Sequence, residues 1–253
     1  MRRKSDQSYR QDFDSAEKAY RYDMSQYSNG TYGDLLWRIE QARLHALVEE
    51  FRITHRTVDY LDFATGTGRI ISFMEDLVDT ATGIEISEAM AKLAVSKVKR
   101  AKIVCCDITE PGTHIEAQYD FITAFRFLLN AEPSLRLAAL KALAARLRDR
   151  TSWLVFNNHG YLWSYRLLAY PYFTLRTLTD KGLKVNYLTY RAVAHLADQA
   201  SLQIDRVIGC GLFSGKVAGM MSFDTALKWE EWVGRNVILS RLGVNQLYIA
   251  RLK

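Results

Sequence analysis

The sequence predicts a doubly wound α/β fold, a mostly parallel seven-stranded sheet with helices on both faces. A helical segment precedes this sheet and an insertion follows its fifth strand. Three observations carry the prediction. Short β-branched and aromatic runs alternate with helically spaced apolar residues from Val58 to Asn157. A glycine-containing loop follows directly on the first of those runs. The 253 residues, 49% hydrophobic and 25% charged, suffice for one sizeable α/β domain. The expected division is one domain over residues 1–253: a helical cap (1–56), a first half (57–157) and a second half (158–253) with an aromatic insertion at 160–190.

The elements follow in order. Residues 1–33 are rich in tyrosine and charge and end in a turn signal, Ser28-Asn29-Gly30. From Asp34 to Phe51 the positions Leu35, Leu36, Ile39, Leu44, Leu47 and Val48 recur at helical spacing. Val58 to Phe63 reads as a strand, Ile70 to Val78 as a helix, Ala81 to Glu85 as a strand and Ser87 to Val98 as a helix. Ala101 to Cys106 and Tyr119 to Ala124 are further strands; the Ala- and Leu-rich run from Ser134 to Leu147 is a helix, and Thr151 to Asn157 a fifth strand. Then come the aromatic, basic stretch from Tyr161, a helix from Tyr190 to Gln199, and strands at Leu202 to Gly209 and Asn245 to Leu252. A helix around Leu227 to Leu242 lies between those last two strands. Strands alternating with helices imply a parallel sheet, whose ligands sit outside the carboxyl ends of the strands.

Composition excludes several classes. No apolar run reaches 18 residues, so no spanning helix is expected. The opening MRRKSDQSYRQDFD lacks the apolar core of a signal peptide. Three cysteines, two of them adjacent at Cys105 and Cys106, form no disulfide framework, and a cytoplasmic protein is expected. That pair lacks a matching Cys or His pair, so it is expected in the core and no metal site is expected. The net charge is +6, but residues 58–130 carry 11 acidic and 7 basic side chains, a balance of −4. The division suits a cationic ligand in the acidic half and an anionic substrate or surface in the basic remainder; solvated faces on a basic protein explain it equally well.

The decisive loop is Asp62-Phe63-Ala64-Thr65-Gly66-Thr67-Gly68. Its glycines allow a tight turn and close backbone approach to a ligand. The dinucleotide fingerprint fails, because its third glycine would fall on Ile71 or Arg69, and no Lys-Ser/Thr pair marks a P-loop. An acid stands at the end of each of the first three strands: Asp62, Glu85 and Asp107. A carboxylate ending the second strand can accept both hydroxyls of a ribose.

The run VDYLDFATGTGRI resembles the first motif of the class I S-adenosylmethionine-dependent methyltransferases, with Ala64 in place of the first glycine. ATGIEISEAMAKLA, CCDI and YDFITAFRFLLN are similar to the three motifs that follow. The resemblance implies an S-adenosylmethionine site built from Asp62, Ala64, Gly66 and Gly68, with Glu85 on the ribose and Ile86 and Met90 beside the adenosine. It also implies Asp107 on the adenine amino group, Ile108 against the ring, and Phe125 and Arg126 near the methionine end. The segment from Tyr32 with Tyr27 before it would form a lid, S-adenosylhomocysteine would be the product, and the acceptor would be met by residues after the fourth and fifth strands.

Those residues are Arg126 and Asn130, then Asn157-Asn158-His159-Gly160. The expected catalytic set is His159, Arg126 and Asn158. His159 is the candidate general base, since an ordinary imidazole is largely neutral at pH 7; a strand-capping role is its alternative. Arg126 would hold a carboxylate or phosphate, or pair with a local acid. The aromatics from Tyr161 to Phe173, with Arg166 and Arg176, suit ring stacking, a lipid interface or an extra core. Nucleic acid is disfavoured: the fourth strand ends in AFRF rather than Asn/Asp-Pro-Pro-aromatic, and no Pro-Cys nucleophile is present. The reading is O-methylation of a small-molecule or glycan-like acceptor. Its alternatives are a non-catalytic cofactor-binding protein and an RNA methyltransferase.

Overall fold

The structure is a computed structural model that describes residues 30–110, 117–167, 171 and 187–253. Seven strands form one sheet: β1 Asp59–Phe63, β2 Thr80–Glu85, β3 Lys102–Cys105, β4 Phe121–Ala124, β5 Trp153–Asn158, β6 Leu202–Cys210 and β7 Asn245–Leu252. Their order is β3-β2-β1-β4-β5-β7-β6. The first five strands run parallel, and β7 lies antiparallel between β5 and β6. The chain order reverses between β1 and β4. Register pairs Phe63 with both Ile84 and Ala124, and Ala124 with Phe156, so the carboxyl ends of the central strands finish level.

Eight helices complete the described fold: α1 Tyr32–Arg52, α2 Arg69–Met74, α3 Glu88–Lys97, α4 Pro133–Ala144, α5 Tyr190–Gln199, α6 Gly215–Ala218, α7 Phe223–Arg235 and α8 Val237–Ser240. Side chains alternate across a strand, so adjacent residues of β1 serve opposite faces. Tyr60 joins Leu44, Leu47, Phe51, Ile71 and Met74 under α1 and α2. Leu61 joins Leu140, Leu143, Val193 and Ala197 under α4 and α5. Each such fully buried aliphatic side chain contributes about 1.5–3 kcal/mol. The first turns of α1 pack elsewhere, through Leu35, Leu36 and Ile39 against Cys210, Ala218 and Ala226. No described helix is long and apolar enough to cross a membrane.

Three expectations need correction. The helix after the first loop stops at Met74, not Val78: the Glu75 carboxylate accepts the backbone N–H groups of Lys99, Arg100 and Ala101, which turns the chain away. The helix expected over 227–242 breaks at Asn236, whose side chain accepts the Ile238 and Leu239 N–H groups and caps a new helix. Cys105 is exposed and Cys106 only partly buried, because β3 is an edge strand; the buried cysteine is Cys210. The helix expected either as a lid or as a helix packed on the sheet has its second half on the sheet. Tyr27 and most of the 160–190 insertion lie outside the described residues.

Candidate functional site

The loop after β1 is held in left-handed backbone at Ala64, Gly66 and Gly68, with φ of 54°, 58° and 86°. Thr65 ties it to the sheet, its N–H donating to the Ile84 carbonyl at 3.0 Å and its hydroxyl to the Asp62 carbonyl at 2.9 Å. Gly68 is a packing residue: a Cβ there would lie 2.8 Å from the Ala94 Cα of α3. The turn brings the Gly66 N–H to 2.7 Å from Glu85 Oε2, while Glu85 Oε1 accepts the Ser87 N–H at 2.9 Å. Two backbone donors fix the carboxylate at the end of β2, and burial pushes its pKa up.

Glu85 forms part of a cavity along the carboxyl ends of β1, β2 and β4. Ala64, Gly66, Ile86, Met90, Asp107, Phe125, Arg126 and Asn130 also line it. Asp107 is oriented by its own turn, accepting the Thr109 N–H at 2.8 Å and the Thr109 hydroxyl at 2.6 Å. Ile108 and Gly68 do not line the cavity, and Ile108 lies in the hydrophobic core. Asp62 lies beneath the loop, 1% exposed. Its Oδ1 accepts the Thr123 hydroxyl at 2.7 Å, whereas Oδ2 has no hydrogen-bond partner among the described residues. Burial, opposed by the Thr123 bond and by Arg69, raises its pKa to about 7.

Residues 61–150 match the family described as the methyltransferase domain. Residues 61–150 carry a class I methyltransferase domain. It is a transferase, and S-adenosylmethionine is the methyl donor of this methyltransferase family. Solved structures of methyltransferases share its fold. The magnesium protoporphyrin IX methyltransferase of Synechocystis PCC 6803 with bound S-adenosylhomocysteine superposes with a TM-score of 0.63 at 13% identity, covering 96% of this chain and 98% of that one. The putative methyltransferase of Haloferax volcanii, in complex with the activator Trm112, gives 0.60 at 14% identity over 96% and 97%. An S-adenosylmethionine-dependent methyltransferase of Clostridium acetobutylicum gives 0.57 at 13% identity over 93% and 98%. Comparison with curated protein sequences gave no match.

The residues of the methyltransferase's first cavity fit the donor by their own chemistry. Glu85 keeps lone pairs for ribose hydroxyls beyond its two backbone bonds, and Ile86, Met90 and Phe125 supply apolar faces. The orphan Asp62 oxygen lies below a loop that would meet a cationic group.

A second cavity, about 330 Å³, adjoins the first and shares Arg126 with it. Tyr32, His159, Tyr165 and Arg166 line it with the first turn of α1. Arg126 itself has a φ of 60°, and its N–H donates to Asn157 Oδ1 at 2.6 Å. From Asn157 a buried chain runs through Asn245 at 3.0 Å to Glu40 at 2.7 Å. Glu40 is fully buried and faces both Arg69 (3.2 Å) and Arg126 (3.7 Å). Sequence reading missed Glu40 and Asn245. The signal for Glu40 was its place inside an apolar stripe, one helical turn from both Leu36 and Leu44.

The structure places the other two expected catalytic residues differently. Asn158 is fully buried and lines neither cavity; its amide donates to the Leu188 carbonyl at 3.0 Å and its oxygen accepts the Gly160 N–H at 3.1 Å. Those bonds give it a structural task, holding the chain that leaves β5. His159 lines the second cavity, but burial and the guanidinium groups of Arg126 and Arg166 push its pKa well below the ordinary histidine range. The imidazole is therefore held in its neutral form.

Proposed function

We propose that this methyltransferase holds S-adenosylmethionine in the first cavity and transfers its methyl group to an oxygen of a small-molecule acceptor in the second. The observation that carries the reading is the sharing of Arg126 between the two cavities, which lets a ligand in each meet at one side chain. When bound, the donor supplies an electrophilic methyl on a sulfonium. The protein's own residues supply alignment: Glu85 for ribose hydroxyls, Asp107 for an adenine amino group, Ile86 and Met90 for the ring, and Asp62 for positive charge through the loop above it. Transfer is an in-line displacement, for which alignment of acceptor, methyl and sulfur is the main demand.

Residues 57–157 are the donor half and residues 158–253 the acceptor half on this reading. Tyr165 lines the second cavity and Trp163 lies exposed two residues before it, a ring surface suited to aromatic or glycan-like acceptors. The described cysteines are free thiols, which suits a reducing cytoplasm. The test is turnover. Incubation with methyl-labelled donor and a panel of hydroxyl- and acid-bearing acceptors should give S-adenosylhomocysteine and a labelled O-methyl product. Donor binding without turnover on any panel member would favour a non-catalytic binding protein.

A further inference from the structure

Resting on that reading, we infer that the acceptor is an anion whose carboxylate or phosphate oxygens are held between Arg126 and Arg166 in the second cavity, next to the transferred methyl. The geometry gathers positive groups around one cavity. Arg126 enters from the end of β4 and Arg166 from the segment after β5, and His159 lies within the field of both. Thr31, the N-cap of α1, and Tyr32 and Gly33 of its first turn line the same space, at the positive end of a 21-residue helix.

The acids on the neighbouring elements are already engaged, Asp34 with the Gly30 N–H at 2.9 Å and with Arg38 at 3.5 Å. One carboxylate, Glu40, serves two guanidinium groups, those of Arg69 and Arg126. Glu230 is taken up by the backbone N–H groups of Gly211, Leu212 and Phe213 at 2.9, 3.2 and 3.2 Å. Arg166 forms no ion pair among the described residues; it lies 5.9 Å over the Tyr187 ring. The described side chains that line the cavity therefore include two arginines and no carboxylate. Arginine's planar fork suits the oxygens of a carboxylate or phosphate. His159 adds a buried Nδ1 with no hydrogen-bond partner among the described residues. In the tautomer protonated there, it donates one hydrogen bond to an oxyanion.

The charge balance fits an anion as methyl acceptor. An acceptor oxygen forms a bond to the methyl carbon while the carbon–sulfur bond breaks, its electron pair staying on sulfur. A carboxylate and the sulfonium become a neutral ester and a neutral thioether, a phosphate loses one negative charge in the same way, and no proton has to leave in either case. Such a transfer needs no general base.

The test uses the full chain saturated with S-adenosylhomocysteine and three probes of one shape: benzoate, phenyl phosphate and neutral benzamide. Calorimetry or ligand-observed NMR should show one of the anions binding at least about tenfold more tightly than the amide, the scale of one charge-assisted hydrogen bond. Arg166→Gln should lower that anion's affinity by about 10- to 100-fold, and Arg166→Lys by less. Benzoate preferred over phenyl phosphate assigns a carboxylate, and the reverse a phosphate. Equal affinity for benzamide, failure of both anions to bind, or parent-like anion binding by a folded Arg166→Gln would overturn the inference. Calorimetry with S-adenosylhomocysteine alone tests the donor site separately, so loss of one reading is distinguishable from loss of the other.

Discussion

Ala64 stands where the loop bends into the left-handed region, at a φ of 54° that costs an L-residue about 1–2 kcal/mol. The methyltransferase motif it resembles has glycine there, and glycine would remove the steric cost while losing some chain entropy. Ala64→Gly should therefore stabilise the protein by about 0.5–1 kcal/mol, read as a melting temperature higher by about 1–4 °C. An unchanged or lower melting temperature would show that the alanine methyl makes contacts worth more than the strain. Asp62 carries the second argument at this scale. Its folded pKa of about 7 exceeds the ordinary aspartate value. The folded form therefore binds the proton more tightly than the unfolded one, and Asp62's contribution is complete below about pH 4 and lost as pH rises through 7. The expected slope from this one proton is about 1.4 kcal/mol per pH unit within that window. Asp62→Asn should flatten urea-midpoint curves between pH 4 and 7, and parallel curves for parent and variant would contradict the assignment. The acids at strand ends were legible in sequence because a parallel sheet brings those ends level. The unpaired Asp62 oxygen was not, since it depends on where Thr123 falls across the β1–β4 register.

Helix α1 shows what helical spacing reveals and what it hides. The apolar positions predicted the stripe that packs on the sheet, and Leu44, Leu47, Val48 and Phe51 are buried there. The same stripe contains Glu40, whose partners Arg69, Arg126 and Asn245 lie 29, 86 and 205 residues away, beyond any local pattern. Its carboxylate ties α1 to α2, to the end of β4 and to the start of β7. Removing one partner from a buried ionic cluster leaves uncompensated charge, at about 3–5 kcal/mol. Glu40→Gln keeps the shape and removes the charge, so chemical denaturation should show a loss of that order. A loss under about 1 kcal/mol would mean that Arg69 and Arg126 find solvent instead. The broken helix at Asn236 and the edge position of Cys105 escaped sequence reading for related reasons. A capping asparagine inside an apolar run is ambiguous by periodicity alone, and strand order is invisible until the sheet is assembled.

At the scale of the whole molecule, β1 to β5 make a parallel half that carries the first cavity. The antiparallel end, β7 and β6, supports the segment holding Tyr165 and Arg166. Alternation of strands and helices foretold the parallel half. The position of β7 between β5 and β6 could not be read from alternation, because the last two strands are separated by a helical excursion rather than a single crossover helix. If the first cavity holds the donor, ligand binding must stabilise the entire fold, since only the folded chain levels the strand ends that form it. At a concentration 100 times its Kd, S-adenosylhomocysteine should stabilise by about 2.7 kcal/mol, which for a chain of this size raises the melting temperature by about 5–10 °C. The shift should grow with the logarithm of ligand concentration, and NAD should produce none. Glu85→Ala removes the acceptor expected for the ribose hydroxyls, so its melting curve should need roughly tenfold more ligand for the same shift. Glu85 also holds the Gly66 and Ser87 N–H groups, so the variant's ligand-free melting temperature should itself fall, and the ligand-induced shift is measured from that lower baseline. A shift of equal size at equal ligand concentration in Glu85→Ala and parent would place the ligand away from the end of β2.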